Sequence, residues 1–259
     1  MKSGGDRINR ETDQTLARIE AARADGYGIH ILRMEEPHPG WIEVEELLES
    51  DDLRTALFAR VSGLSERPAD HICAEWMLEN WARAIGDLAG SFMVSHRRLP
   101  DLHPANLMIA SQKGLAAATA VKSGAMSALE SDKKATKRGA RPFHDWQAVA
   151  DQMYEETVQL LTPMVVWIDG HGLRPEKTLW HAAADRIAQS LVWSGKAFDQ
   201  RDFALELTEY LMAKDGPLSI PVQREEDETR EPYHLRVTCC LAYRTPEGGL
   251  CRACPLANT

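Results

Sequence analysis

The chain has 259 residues, 44% of them hydrophobic, enough to bury a sizeable core as one large domain or one domain with an appendage. A formal net charge of −9 lacks the electrostatic footprint of a nucleic-acid binder. The first nine residues show no apolar core of a signal peptide, and the longest apolar run, Leu160 to Ile168, is broken by Thr162 and Pro163 and is too short to span a bilayer. A cytoplasmic protein is therefore expected, with room for peripheral membrane association at most.

Residues 1–9 are polar and expected to fray. Leu16, Ile19 and Ala22 then predict a helix over about 10–24 with these residues inward. The β-branched stretch 28–32 reads as a strand, and Pro37, Pro39 and Gly40 turn the chain. Helical patterns follow near 43–61 and again from Pro68 to Val94. In the second, Cys73, Met77, Trp81, Ala84, Leu88 and Phe92 recur every three or four residues. Leu107 to Ala110 and Leu115 to Val121, joined by residues 111–114, predict a β-hairpin. Residues 131–141 form a basic loop carrying Lys133, Lys134, Lys137, Arg138 and Arg141. It reads as a solvated linker, or more sharply as a docking patch for an anionic ligand or an acidic electron donor.

Three further helices are expected. Trp146, Val149, Ala150, Met153, Leu160 and Leu161 mark one ended by Pro163. Trp180, Ala183, Ile187 and Leu191 mark a second stopped at Gly195. Phe203, Leu207, Tyr210 and Leu211 mark a third stopped at Asp215-Gly216. A polar, acidic connector runs from Pro217 to Glu231. The expected fold is α+β and mainly helical, with a small central antiparallel sheet. A body over 1–216 would carry a connector and a cysteine-rich segment over 217–259.

Four of the five cysteines fall in the last 21 residues: Cys239, Cys240, Cys251 and Cys254. In a reducing compartment such a set reads as thiolate ligands for zinc or an iron–sulfur cluster before it reads as disulfides, with thiol redox chemistry as a third reading. Cys251 and Cys254, three apart, can turn toward one metal, and Gly248-Gly249 allows a tight approach. The adjacent pair is harder: in extended chain the two side chains point to opposite faces, so the backbone must bend there. A zinc ribbon would normally supply a second Cys-x-x-Cys, which is missing. The spacing also differs from the common ferredoxin patterns. Cys73, on an apolar helix face, reads as a core thiol. His30, His38, His71, His144, His171 and His181 show no ligand spacing.

The Cys-Cys-x10-Cys-x2-Cys pattern resembles the C-terminal motif of the FhuF-type ferric-siderophore reductases. Arg236 before the pair, Leu241 and Tyr243 after it, a glycine ahead of Cys251 and Pro255 after Cys254 agree with it. The resemblance covers about 234–256. It implies a 2Fe–2S cluster on the four thiolates, in an environment set by Arg236, Tyr243, Gly248 and Gly249, where the two glycines could offer backbone N–H groups to sulfur. It also implies one-electron reduction of siderophore-bound Fe(III) to Fe(II), with release of the iron in the cytoplasm and no catalytic side chain beyond the cluster. The implied partners are a ferric siderophore, of hydroxamate type, and an electron donor.

Basic and aromatic candidates for contacting a siderophore are His103, Trp193, Lys196 and Arg244, together with His96, Arg97, Arg98, Arg236 and Tyr243; each also reads as a structural or solvated residue, Arg236 as a hydrogen-bond donor to the cysteine loop. Asp101-Leu-His103-Pro-Ala-Asn106 resembles the catalytic segment of aminoglycoside-phosphotransferase-like kinases and a segment of aerobactin-type siderophore synthetases. No Gly-rich phosphate loop opens the chain and no metal-binding Asp follows closely, so the motif reads as a structural relic or a wall of a siderophore pocket. The rival functions are a zinc-stapled binding module, a plain 2Fe–2S electron carrier, and a kinase or synthetase using Asp101, His103 and Asn106.

Overall fold

A computed structural model describes residues 4–22, 30–63, 69–112, 115–226, 232–246 and 248–257. In chain order they form α1 (Gly4–Ala22), β1 (His30–Arg33), β2 (Trp41–Glu43), α2 (Val44–Glu49), α3 (Asp51–Ser62), α4 (Asp70–His96), β3 (Arg98–Pro100), β4 (Leu107–Gln112), β5 (Leu115–Val121), β6 (Met126–Leu129), α5 (Lys133–Thr136), β7 (Arg141–Phe143), α6 (Trp146–Gly170), α7 (Glu176–Ala197), α8 (Arg201–Met212), β8 (Gln223–Glu226) and β9 (Pro232–Leu235). The fold is mainly helical α+β.

Helix α4 is the axis of the core. All six of its periodic apolar residues are buried, from Cys73 to Phe92. Its most extensive helix partner is α7. Small residues let the two come close: a Cβ at Gly86 would lie 3.0 Å from the Ser190 side chain, and one at Gly90 the same distance from Leu191. Side chains from the middle of each helix therefore reach a common patch, on which the cysteine segment is built.

The predicted hairpin is β4–β5, with Leu107 paired to Val121 and Ala110 to Ala118. The sheets are mixed rather than purely antiparallel. The order β1-β5-β4-β2 includes a parallel β1/β5 pair, and β3-β6-β7 includes a parallel β6/β7 pair. The first strand falls at 30–33; positions 28–29 lie outside the described residues, as does Pro68.

Four local expectations are overturned. Helix α1 begins at Gly4 rather than near residue 10, and Ala22 is exposed while Leu16 and Ile19 are buried. Helix α6 runs through Pro163 to Gly170. The carbonyl that Pro163 cannot bond belongs to Gln159 on the exposed side of the helix, where water can serve it, while Leu161, Met164 and Val165 anchor both flanks in the core. Gly195 lies inside α7: a Cβ there would be 2.5 Å from that of Ala204, so the residue admits α8 rather than ending α7. The acidic connector contains β8, which pairs with β9 in an antiparallel hairpin.

The basic loop and the Arg97-Arg98 pair are not simply solvated. Arg98 is buried and bonds Glu11 at 2.9 Å and Asp132 at 2.7 Å; Arg138 and Lys134 reach the same fully buried Glu11 at 2.6 and 3.3 Å. Arg97 closes α4 in a left-handed conformation and stacks on Phe203.

Candidate metal centre

Two buried carboxylates carry the cysteine segment. Asp185, in the middle of α7, accepts four hydrogen bonds: from His234 Nε2 (2.9 Å), the Val237 N–H (2.9 Å), the Thr238 N–H (2.8 Å) and the Thr238 hydroxyl (2.6 Å). All four donors lie within the five residues that precede Cys239. Glu79, on α4, accepts from Arg236 through both terminal guanidinium nitrogens and from Arg186 at 2.7 Å. Arg236 also donates its Nε to the Thr238 carbonyl at 3.1 Å, and its backbone N–H to Ala253 at 3.1 Å. That last bond joins the strand entering the segment to the turn that closes it.

The charges are locked by mutual compensation. Burial opposes the Arg236 charge, but Glu79 and Asp185 outweigh it and raise its pKa. Burial likewise pushes Glu79 up, and Arg236 and Arg186 more than reverse this, so Glu79 stays ionised. One turn earlier, burial and the negative charge of Glu79 push Glu75 up to about 7, although Arg174 bonds it at 2.6 Å. The folded protein thus holds the Glu75 proton more tightly than the unfolded chain does. The stability from this group is complete below about pH 4.5 and is lost as pH rises through about 7, a span worth about 3 kcal/mol. Glu75→Gln is expected to remove that part of the decline, read as urea midpoints at pH 5 and pH 8.

Past Thr238 the backbone makes the bend that an adjacent cysteine pair requires. Leu241 is left-handed, with φ 58°, and a short 3-10 turn follows at Ala242–Arg244. The indole of Trp76, on α4, fixes the Cys240 carbonyl at 2.9 Å. The Leu241 N–H points at Cys239 Sγ at 3.4 Å. Thr245 bonds the Ala242 carbonyl through its hydroxyl and its N–H. Gly248 bonds back to the Thr245 carbonyl at 3.0 Å, so its N–H is not directed at sulfur as expected. Its need for glycine is steric: a Cβ at Gly248 would sit 1.7 Å from the Ala242 carbonyl oxygen, whereas one at Gly249 meets nothing. Gly248→Ala should therefore cost about 1–3 kcal/mol and loosen the segment, while Gly249→Ala is neutral, measured by the rate of tryptic cleavage within 236–257.

The four thiols lie close enough to act on one another's ionisation, Cys240 with Cys251 most strongly. The Cys251 thiol draws Cys240 down to about 6 against the effect of burial, with the Ala242 N–H and Arg236 helping; the same contact pushes Cys251 up. The pair thus shares one proton, with a thiolate favoured on Cys240. Burial raises Cys239. Cys240 and Cys254 are buried, Cys239 and Cys251 half-buried. Among the described residues no three His, Cys, Asp or Glu side chains converge on one metal-ion position. Four soft thiol donors gathered in one short segment fit a 2Fe–2S group.

Beside this cluster of thiols lies a cavity of about 270 Å³. Cys240, Cys251 and Ala253 form its cysteine-side wall. The opposite wall is one face of α7, from which Arg186, Gln189 and Trp193 project at helical spacing. Arg236, Tyr233 and Arg252 complete it, the Arg252 guanidinium lying 4.7 Å from the Tyr233 ring centre. Among the described residues no acidic side chain lines it.

Among the candidate siderophore contacts, Trp193 and Arg236 line this cavity; Lys196 is on the same helix as Trp193, about one turn on, outside the lining. Arg244 and Tyr243 are exposed on the 3-10 turn, bonded to each other at 3.1 Å. His103 is elsewhere, its ring capping the turn at Ala105. Asn106 spends its amide on the Asp101 carbonyl and the Ser123 N–H, both at 2.8 Å, so the Asp101–Asn106 motif acts as a turn scaffold. Sequence reasoning missed Glu79, Asp185, Arg186, Gln189 and Arg252. The available signal was carboxylates embedded in apolar helix faces and a polar stripe at 186, 189 and 193.

A helical scaffold bearing a C-terminal cysteine-rich segment is what this fold and site define. Residues 236–256 match the family described as the FhuF 2Fe-2S C-terminal domain. No curated protein matches the chain. In fold it is similar to aerobactin synthetase IucA from a hypervirulent pathotype of Klebsiella pneumoniae, with 10% identity over 91% of this chain and 49% of that one and a TM-score of 0.54. The ATP-bound form of IucA gives 9% identity over 89% and 48%, with a TM-score of 0.52. Aerobactin synthetase IucC from the same source gives 16% identity over 64% and 32%, with a TM-score of 0.46. The chain spans a third to a half of the length of these proteins. Among the described residues no helix is long and apolar enough to cross a membrane.

Proposed function

We propose that the chain is a cytoplasmic ferric-siderophore reductase. The observation that carries this reading is the cysteine wall of the cavity: Cys240 and Cys251 border a 270 Å³ space whose other walls offer arginine, glutamine and aromatic side chains. Cys239, Cys240, Cys251 and Cys254 would hold a 2Fe–2S cluster, which would supply one electron to a ferric ion lodged beside it. Ferric iron is hard and tightly held by oxygen chelators; ferrous iron is held far more weakly, so one electron suffices for release. The protein's own residues bind and position. Trp193 and Tyr233 offer ring surface to the chelate, and Arg186 and Gln189 offer donors to its oxygens. Trp76 and Asp185 keep the cysteine loop in place, and Arg236 keeps a fixed positive charge behind it.

The likeness to siderophore synthetases does not favour a synthetase reading for this chain, because Asn106 is committed to backbone partners. The test is anaerobic. Dithionite-reduced protein mixed with a ferric hydroxamate should regain its visible absorption while Fe(II) appears in a ferrous-specific chromophore. Protein that stays reduced would be a carrier rather than a reductase, and colourless protein containing zinc would be a stapled binding module.

A further inference from the structure

The cavity beside the thiols has a charge character that the reductase reading does not require. The chain has 39 acidic and 30 basic residues, yet among the described residues three of the nine that line this cavity are arginines and none is acidic. The charge of Arg236 is spent on Glu79 and Asp185. Arg186 shares Glu79 through one terminal nitrogen, and its buried Nε has no hydrogen-bond partner. Arg252 is exposed and lies over Tyr233. The Gln189 amide adds a donor between Arg186 and Trp193 on the same helix face. An arginine beside an open cavity can give a charge-assisted hydrogen bond to an acceptor oxygen that enters it.

We propose that this cavity selects ferric chelates of net negative charge, with free carboxylate oxygens received by Arg186 and Arg252 and the carbon frame laid against Trp193. The proposal rests on the reductase reading and adds what that reading leaves open: the charge of the substrate. Hydroxamate groups can still ligate the iron; recognition falls on the uncomplexed carboxylates at the periphery. The redox step is unchanged. One electron passes from the reduced cluster to Fe(III), and the cluster is restored by a one-electron reductant.

Gallium(III) replaces Fe(III) in the test because it has a similar charge and size and is not reduced, so binding is read without turnover. The purified holoprotein is titrated with gallium(III) citrate and, separately, with the gallium complex of a linear trihydroxamate that bears a free amine and is cationic. Tryptophan fluorescence reports binding, and Trp193→Phe identifies the responding ring. The citrate complex should bind at least about tenfold more tightly, and the preference should shrink as salt shortens the screening length. Arg252→Glu, and separately Gln189→Glu, should erase or reverse the preference while iron and sulfide content stay at the wild-type level. Equal or tighter binding of the cationic complex would overturn the proposal, as would a preference that survives both substitutions. Failure of the citrate complex to bind would also overturn it, while the cluster assignment would still be read from iron and sulfide content.

Discussion

Cys240→Ser is expected to abolish the iron–sulfur chromophore and all ferric-chelate reduction, while Cys73→Ala leaves both intact. The two thiols are both buried, so burial does not distinguish them. Their neighbours do. Cys73 sits in the hydrophobic core among α4 neighbours, where burial raises its pKa and keeps it a thiol. Cys240 is paired with Cys251, is drawn down to about 6 by that pairing, and has its carbonyl fixed by Trp76. A serine hydroxyl at this position is a harder and far less acidic ligand, poorly matched to an iron–sulfur centre. Cys251→Ser should behave as Cys240→Ser does, because each removes half of one pair. Visible absorption and iron content of the four proteins, purified side by side, check this. Retention of a full chromophore in Cys240→Ser would remove the residue from the ligand set.

The second large effect is expected at Asp185. Its four partners are all donors: an imidazole N–H, two backbone N–H groups and a hydroxyl. Asp185→Ala strands all four in a buried site and removes the anion that, with Glu79, balances Arg236. Breaking a buried charge network from one side costs about 3–5 kcal/mol. Asp185→Asn should recover only part of this, because its NH2 group must face a donor. The loss is local in its first consequence. The strand from His234 to Thr238 is tethered to α7 through this one carboxylate, so the cluster should be released at urea concentrations well below those that melt the helices. Parallel urea titrations, following visible absorption and helical circular dichroism, separate the two events. Coincident transitions at the wild-type midpoint would show that Asp185 does not hold the segment.

Much of the helical body was legible in the sequence because its signals are local. The α4 stripe from Cys73 to Phe92 is a run of apolar residues at helical period, and every member is buried. The β4–β5 hairpin was readable from two apolar runs around a short turn. The misreadings share a cause: a local breaker was outweighed by packing. Pro163 and Gly195 look like helix stops, but one frees a carbonyl on the exposed side and the other makes room for Ala204. The β8–β9 hairpin was hidden because its strands are polar and carry no apolar alternation to mark them.

The metal centre divides in the same way. The four cysteines and the bend they demand were readable from spacing alone, and the bend appears as the left-handed Leu241. The supports were not readable. Glu79 and Asp185 are single charged residues inside otherwise apolar helices, and nothing in one sequence distinguishes a charge turned to solvent from one turned to a buried arginine. Trp193 was named for its aromatic character, and it lines the cavity; His103 was named on the same kind of ground and instead caps a turn. Side-chain type suggested candidates, and only the closeness of α4 and α7 selected among them.

Quantifying iron, zinc and acid-labile sulfide in anaerobically purified protein tests the central claim most directly. Four thiolate ligands of one 2Fe–2S cluster predict two irons and two sulfides per chain, with no zinc. One zinc per chain and no sulfide would contradict it and leave the segment a structural staple.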